Sequence, residues 1–254
     1  MILGFAILTL VILLAFPIVG RAADPAAELL AGRAKECPKC NLAGANLKRF
    51  DLKEADLTGA DLTGANLHRA QLSGANLAGA NLTGANLNKT DMKRANLAGA
   101  RLGEAMLYEA DLSGANLSRA DLSGALMGSS HLTFATLDGA DLADADLANA
   151  QMHGAKLKSA DLSRSDLSET TLRRADLTGA KLEAGSLARA DLRGANLRGA
   201  NLRTVDLMRA DLTEADLTGA DLGGARLLLA KLTDAKLDGA RLTRTVMPDG
   251  TTHE

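Results

Sequence analysis

A strict five-residue period limits what this chain can fold into. From Leu42 to Met247, every fifth residue is leucine or methionine, without insertion or slip. The residue two places before each of these central residues is alanine in 33 of the 42 repeats. Five residues rotate an α-helix by about 500°, and an odd spacing alternates the faces of a strand, so neither buries the leucines together. The chain must therefore turn a corner once per repeat, as in a solenoid.

Glycine at the corner position, two residues after each central residue, indicates how many sides make one coil. In the series of corner positions spaced 20 residues apart from 59 to 239, glycine fills 8 of 10. In the series with the same spacing from 49 to 249, it fills none. A period of 20 residues predicts four sides per coil, and 42 repeats then give about 10.5 coils. Because glycine permits positive φ, we expect the corners to differ in turn type. We number the sides by their first central residues: side 1 Leu42, side 2 Leu47, side 3 Leu52 and side 4 Leu57.

A weaker period of 40 residues overlies the first. In the corner series from 54 to 234, glycine occurs only at alternate positions, namely 74, 114, 154 and 194. We interpret this period as a trace of tandem duplication of a two-coil unit.

The inward-facing side chains are expected to form a core of two sizes. The chain has no tryptophan, one tyrosine and four phenylalanines, so large aromatic side chains cannot fill it. Each coil instead contributes four central leucines, each stabilising the fold by about 1.5–3 kcal/mol on burial. Leu62, Leu162 and Leu202 are representative predicted core residues.

The Ala-(Asp/Asn)-Leu-x-x repeats, such as Ala60 to Gly64, resemble those of the pentapeptide-repeat family. The resemblance covers about five-sixths of the chain, and the ending from Val246 to Thr251 is also similar to that of such arrays. It implies an all-β fold, a right-handed four-sided parallel β-helix. We place this solenoid at residues 40–249, followed by a tail at 250–254.

The N-terminal segment predicts export. Residues 1–20 carry no charged side chain, and the small residues Gly20 and Ala22 fit a signal-peptidase site. We therefore expect residues 1–22 to be a signal peptide; the alternative is an uncleaved membrane anchor, since the apolar stretch is nearly long enough to span a membrane. The rest of the chain is expected in the periplasm or outside the cell, or anchored to the inner membrane.

Residues 23–39 are expected to cap the solenoid. Asp24 followed by Pro25 is typical of a helix N-terminus, and the helix is predicted to continue to Glu36 and cover the first coil. Cys37 and Cys40 are the only cysteines. An oxidising compartment favours a disulfide between them; a zinc site needs about four ligands, and a thioredoxin-like redox role is the remaining alternative.

Aspartate fills 16 of the leading positions, immediately before the central residue, and asparagine fills 10. Asp121, Asp141 and Asp161 should stack on side 1, where like charges repel. The stack is either a weak divalent-cation site or a set of side chains that accept hydrogen bonds from turn N–H groups. Because neutral asparagine shares the position, we favour the turn role.

No residue pattern indicates catalysis or a cofactor. The four histidines have neither nucleophile nor metal-ligand spacing, and a filled solenoid has no pocket. Some members of the family resemble DNA and protect a topoisomerase, but the net charge of only -2 and the predicted export argue against this alternative and against nucleic-acid binding. The favoured function is an exported, non-catalytic scaffold that binds proteins in the cell envelope.

Side 2, with no glycine at its corners, is the predicted interface. Exposed apolar side chains with arginine nearby suit protein contacts, with a foreign partner or a second copy. The alternatives are a roomier turn, or packing under the C-terminal tail. The candidate residues are Met106, Tyr108, Leu126, Met208, Arg209, Leu228, Leu229 and Val246.

A second candidate surface is the basic stretch of residues 171–210, which holds eight cations and four anions. Such a stretch attracts an anionic polymer or membrane surface. A solvated patch is the favoured alternative, because the charges are spread over all four sides.

Overall fold

A computed structural model describes residues 24–254. The predicted signal peptide or anchor at residues 1–22 lies outside the described residues. In the described part of the chain, no helix combines the length and apolar character that crossing a membrane requires.

The solenoid is preceded by one short helix, α1, at Pro25–Leu30. Asp24 caps it, because its carboxylate accepts a hydrogen bond from the backbone N–H of Ala26 at 3.1 Å. Leu29 is buried against the first coil, as expected of a cap. The prediction that the helix continues to Glu36 is wrong: the chain leaves the helix at Gly32, whose φ is +70°.

Each coil is joined to the next by parallel backbone pairing between residues 20 apart. Leu162 illustrates the pattern: its N–H donates to the carbonyl of Lys181 at 2.7 Å, and the N–H of Lys181 donates to the carbonyl of Ala160 at 2.9 Å. The pairing takes the form of single parallel bridges, from Glu36–Asp56 to Arg226–Val246. Within residues 24–254 the sides are thus too short to form longer strands, and the architecture is a four-sided parallel β-helix.

The solenoid begins earlier than the predicted residue 40. Cys37 occupies a central position, where it is fully buried and its N–H donates to the carbonyl of Asp56 at 2.8 Å. Cys40 occupies an alanine position, and a disulfide joins the two cysteines. The boundary was misplaced because the leucine pattern does not reveal that cysteine, a small apolar side chain, fills the same core positions.

The core runs along the axis of the rod. Leu62, Leu162 and Leu202 are all fully buried, as are the alanines that flank them at Ala60 and Ala200. Phe50, at an alanine position, packs partly buried against the first coils. Each coil therefore buries one leucine-sized and one small side chain per side.

All corners share one backbone conformation, so the expected difference in turn type is wrong. Every corner residue from Lys39 to Arg244 has positive φ, whether or not it is glycine. A left-handed conformation costs a non-glycine residue about 1–2 kcal/mol. Hydrogen bonds between coils hold it in place, as where the N–H of Arg164 donates to the carbonyl of Glu183 at 2.9 Å.

The last coil is only partly covered. The C-terminal tail turns back so that Val246 pairs antiparallel with Thr252, beneath side 2. Leu232, Leu237 and Leu242, the central residues of the other three sides, are only partly buried. The core therefore reaches the surface at this end.

Candidate functional site

Three of the predicted interface side chains are well exposed. Tyr108, Leu126 and Leu229 keep 48%, 50% and 55% of their surface accessible. Among residues 24–254, the other exposed large apolar side chains are Leu30, on α1, and Phe134, on side 3. Side 2 therefore carries most of the large apolar surface that the described chain exposes.

The first cluster on side 2 is contiguous. Met106 and Leu126 occupy the same position in neighbouring coils, where they form a parallel bridge. Tyr108 lies beside Gly128 of the next coil: a Cβ atom at residue 128 would be 3.6 Å from Cδ2 of the tyrosine ring. The absence of a side chain at Gly128 gives the ring room along the rod. Met106, Tyr108 and Leu126 therefore form one apolar surface.

The second cluster is partly covered by the C-terminal tail. Cδ1 of Leu228 lies 3.7 Å from the position that a Cβ of Gly250 would take, and Val246 pairs with Thr252. For these two residues the structure supports packing under the tail, the alternative considered from the sequence. Leu229 remains exposed, and Met208 is half-buried. The free apolar surface here is smaller than the sequence suggests.

Arginine and lysine side chains on side 2 differ in how they are paired. Arg189 forms an ion pair with Glu169 at 3.0 Å, and Lys89 pairs with Glu109 at 3.2 Å. Within residues 24–254, Arg209 has no carboxylate partner, and it is exposed next to Leu229 along the rod. A guanidinium so placed is available to a partner's carboxylate.

The turn role of the leading aspartates is confirmed. In Asp121, Asp141 and Asp161, one carboxylate oxygen accepts a hydrogen bond from the N–H two residues later, at 3.0, 3.0 and 3.1 Å. The ammonium group of Lys181 ends this stack, 3.1 Å from Asp161. In the described chain, no three histidine, cysteine, aspartate or glutamate side chains are placed to share a metal ion.

Most of the basic stretch is neutralised by neighbouring acids. Arg173 and Arg193 both contact the carboxylate of Asp191, and Arg198 lies 3.2 Å from Asp216. Arg193 and Asp191 belong to the same repeat, whereas Arg173 and Arg198 each reach an acid of the next coil, so the positive charge is offset pair by pair along the rod. The geometry favours the solvated patch over an anion-binding surface.

The comparisons with known proteins agree with the repeat. The model of the pentapeptide repeats matches in eight copies, within residues 40–78, 75–114, 91–124, 125–164, 150–186, 186–224 and 210–247. The chain belongs to the pentapeptide-repeat family. Its right-handed four-sided β-helix is confirmed by this membership and by solved structures of the family. Pentapeptide-repeat proteins are generally non-catalytic and mediate protein interactions.

Among solved structures, this pentapeptide-repeat protein is similar to HetL from the cyanobacterium Nostoc, which is involved in the regulation of heterocyst differentiation. The two share 35% identity over 89% of this chain and 97% of HetL, with a TM-score of 0.52. A protein from the thylakoid lumen of Arabidopsis thaliana shares 33% identity over 40% of this chain and 67% of its own, with a TM-score of 0.31. QnrB1, a plasmid-mediated fluoroquinolone resistance protein, shares 17% identity over 81% and 90%, with a TM-score of 0.38. No curated protein matches this chain.

Proposed function

We propose that this pentapeptide-repeat protein is an exported, non-catalytic scaffold that binds a partner protein in the cell envelope through side 2. The observation that carries the proposal is the concentration of exposed apolar side chains there: Tyr108, Leu126 and Leu229. Such patches on a soluble protein are typical of protein interfaces. Tyrosine is also among the residues that contribute most to binding energy.

Phe134, the exposed aromatic residue outside side 2, is already engaged within the rod. Its ring packs edge-on against His153, with ring centroids 5.3 Å apart, and lies over Gly154. With 62% of its surface accessible, Phe134 is more exposed than Tyr108, but it lies alone on side 3. The clustering of Tyr108 with Met106 and Leu126 supports side 2 as the binding side.

Two features support export. The apolar N-terminal sequence fits a signal peptide. The disulfide between Cys37 and Cys40 is of a kind that persists in oxidising compartments. The intact mass of the native protein tests both: we expect a chain that begins at Ala23 and has both cysteines oxidised. A chain that retains residues 1–22 would support the anchor instead, and two free thiols would remove the argument from the disulfide.

The absence of catalysis is supported by how the rod is filled. Its interior is occupied by leucine, methionine and alanine side chains, so a substrate has access only to shallow grooves on the outside. Catalytic sites are normally concave and exclude water. A binding role needs only the outer surface.

The binding role can be tested with matched variants. Tyr108→Glu with Leu126→Glu places two charges on side 2; Asn116→Glu with Ser118→Glu places two at the same repeat positions on side 4. We expect the side 2 variant alone to lose the proteins that the wild type captures from an envelope fraction, with unchanged melting temperature. Light scattering on the purified rod distinguishes a second copy from a foreign partner. Equal capture by both variants would contradict the proposal.

A further inference from the structure

The two ends of the rod are finished differently. At the N-terminal end, α1 lies over the first coil, and Leu42, Leu47 and Leu52 are only 2%, 0% and 1% exposed. At the C-terminal end, the corresponding leucines of sides 3, 4 and 1 are only partly buried: Leu232, Leu237 and Leu242. The terminal coil thus presents apolar core side chains to solvent.

The backbone of the terminal coil is also unpaired. In the coil above, the N–H groups of Leu212, Leu217 and Leu222 each donate to a carbonyl of the terminal coil at 2.8 Å. In the terminal coil, the N–H groups at the equivalent positions have no acceptor among residues 24–254. These are the N–H groups of Leu232, Asp234, Leu237, Gly239 and Leu242.

Carbonyl groups are unpaired on the same edge. In the coil above, the carbonyls of Ala210, Ala215 and Ala220 accept hydrogen bonds at 2.9 Å. Within the described chain, those of Ala230, Ala235 and Ala240 have no donor. Donors and acceptors therefore alternate along three sides, as at the edge of a β-sheet that can accept another strand.

The C-terminal tail shows that extended chain fits this edge. Beneath side 2, the N–H of Met247 donates to the carbonyl of Thr251 at 2.7 Å, and the N–H of Arg244 donates to that of His253 at 2.8 Å. The tail covers side 2 and the adjoining corner only. Sides 3, 4 and 1 remain open for about 15 residues of extended chain, since each side takes five.

The charges of the terminal coil indicate which segment fits. Its leading positions on the three open sides are all cationic: Lys231, Lys236 and Arg241. Elsewhere in the rod, cations at leading positions pair with acids at the leading positions of neighbouring coils, as Lys181 does with Asp161 and Arg226 with Asp206. In the terminal coil, Lys231 and Arg241 each contact an acid of the coil above at 3.4 Å, and their other side faces the open edge.

We propose that the C-terminal end of the rod binds an extended segment of a partner protein, which adds as one further coil on sides 3, 4 and 1. The segment has an acidic residue followed by an apolar residue at every fifth position. Its backbone pairs with the open edge, its apolar side chains cover the three leucines, and its acids face the three cations. This surface is separate from side 2.

A synthetic peptide with the sequence of residues 210–225 has the required pattern, because it carries Asp-Leu at 211, 216 and 221. We expect it to bind the full-length rod, as measured by fluorescence anisotropy. In hydrogen exchange, the amides of Leu232, Leu237 and Leu242 should slow when it binds. Two control peptides are used: one has the three leucines replaced by serine, and the other has the three aspartates replaced by lysine. Each should bind at least about tenfold more weakly than the original peptide.

Two variants of the rod complete the test. Leu237→Arg lies on the open edge and should weaken peptide binding by about tenfold or more, whereas Leu229→Glu on side 2 should leave it unchanged. Loss of binding in Leu229→Glu as well, equal binding of all three peptides, or unchanged exchange of the edge amides would overturn the proposal. The proposal would also be overturned if the free rod had twice the expected mass and Leu237→Arg returned it to a single copy, because a second copy would then occupy the edge. Circular dichroism checks that both variants are folded.

Discussion

Phe134 lies over Gly154 of the next coil, so close that a Cβ atom at residue 154 would be 2.5 Å from Cε1 of the ring. Glu54 lies over Gly74 in the same way. Cβ atoms at residues 114 and 194 would be 3.5 and 3.7 Å from Cγ of Arg94 and Arg174 of the preceding coils. The alternation of a long side chain with glycine on side 3 therefore gives each of these side chains room to lie over the next coil.

This contact predicts different effects of alanine at two glycines with the same backbone conformation. Gly154 and Gly84 have φ of +63° and +62°, but only Gly154 has a ring above it. Gly84→Ala should cost about 1 kcal/mol from positive φ alone. Gly154→Ala should cost more, because Phe134 must also move, and adding Phe134→Ala should remove the excess. Denaturant unfolding measures both; equal costs in the two single variants would count against the contact.

Ser130 predicts a stabilising substitution. Its hydroxyl is buried at an alanine position and, among the described residues, has no hydrogen-bond partner. An unsatisfied buried hydroxyl costs about 1–3 kcal/mol, so Ser130→Ala should raise the free energy of unfolding by about 1 kcal/mol. Ser165 is the control, because its hydroxyl donates to the carbonyl of Leu162 at 2.7 Å. A gain of the same size from Ser165→Ala would show that the missing partner is not the cause.

The leading aspartates predict loss of stability in acid. The hydroxyl and N–H of Thr218, with Arg198, lower the pKa of Asp216 to about 2. The pKa values of Asp56, Asp61 and Asp206 are also lowered, in each case most by a side-chain hydrogen bond. Because the folded pKa lies below the unfolded value, the stabilisation is present above about pH 4 and lost as the pH falls towards 2.

We therefore expect a large fall in melting temperature between about pH 4 and 2, and only a small one from pH 7 to 5, because burial and the neighbouring cations lower the pKa of His68. An NMR titration of Asp216 gives the residue-level check. Thr218→Ala removes the hydroxyl but keeps the N–H, so the pKa of Asp216 should rise part of the way to its ordinary value. An unchanged pKa in this variant would refute the stated cause.

The core makes its own prediction. Leu162 is fully buried, and Leu162→Asp would place an unpaired charge among leucines at a cost of several kcal/mol. Ser163 is the next residue and its side chain faces outward, so Ser163→Asp should cost under about 1 kcal/mol. Thermal melting compares the two variants directly. Equal melting temperatures would mean that residue 162 does not face a dry core.

The sequence predicted the solenoid because its periods of 5 and 20 residues are direct consequences of one corner per side and four sides per coil. It did not predict the uniform corners, since positive φ at Arg164 is held by a hydrogen bond to the next coil and not by the residue's own preference. The core position of Cys37 was missed because the pattern was defined by leucine. The tail over Leu228 and the open edge at Leu237 depend on where the stack of coils ends, which composition and periodicity do not encode.

The most direct test of the central claim, that side 2 binds a protein, is photo-crosslinking in the native envelope. A photoreactive amino acid at position 126 lies on side 2, and one at position 116 lies at the same repeat position on the opposite side, also exposed. We expect a discrete crosslinked product from position 126 and none from position 116, with a mass that identifies either a foreign protein or a second copy. Products of equal yield from both positions, or none from position 126, would contradict it.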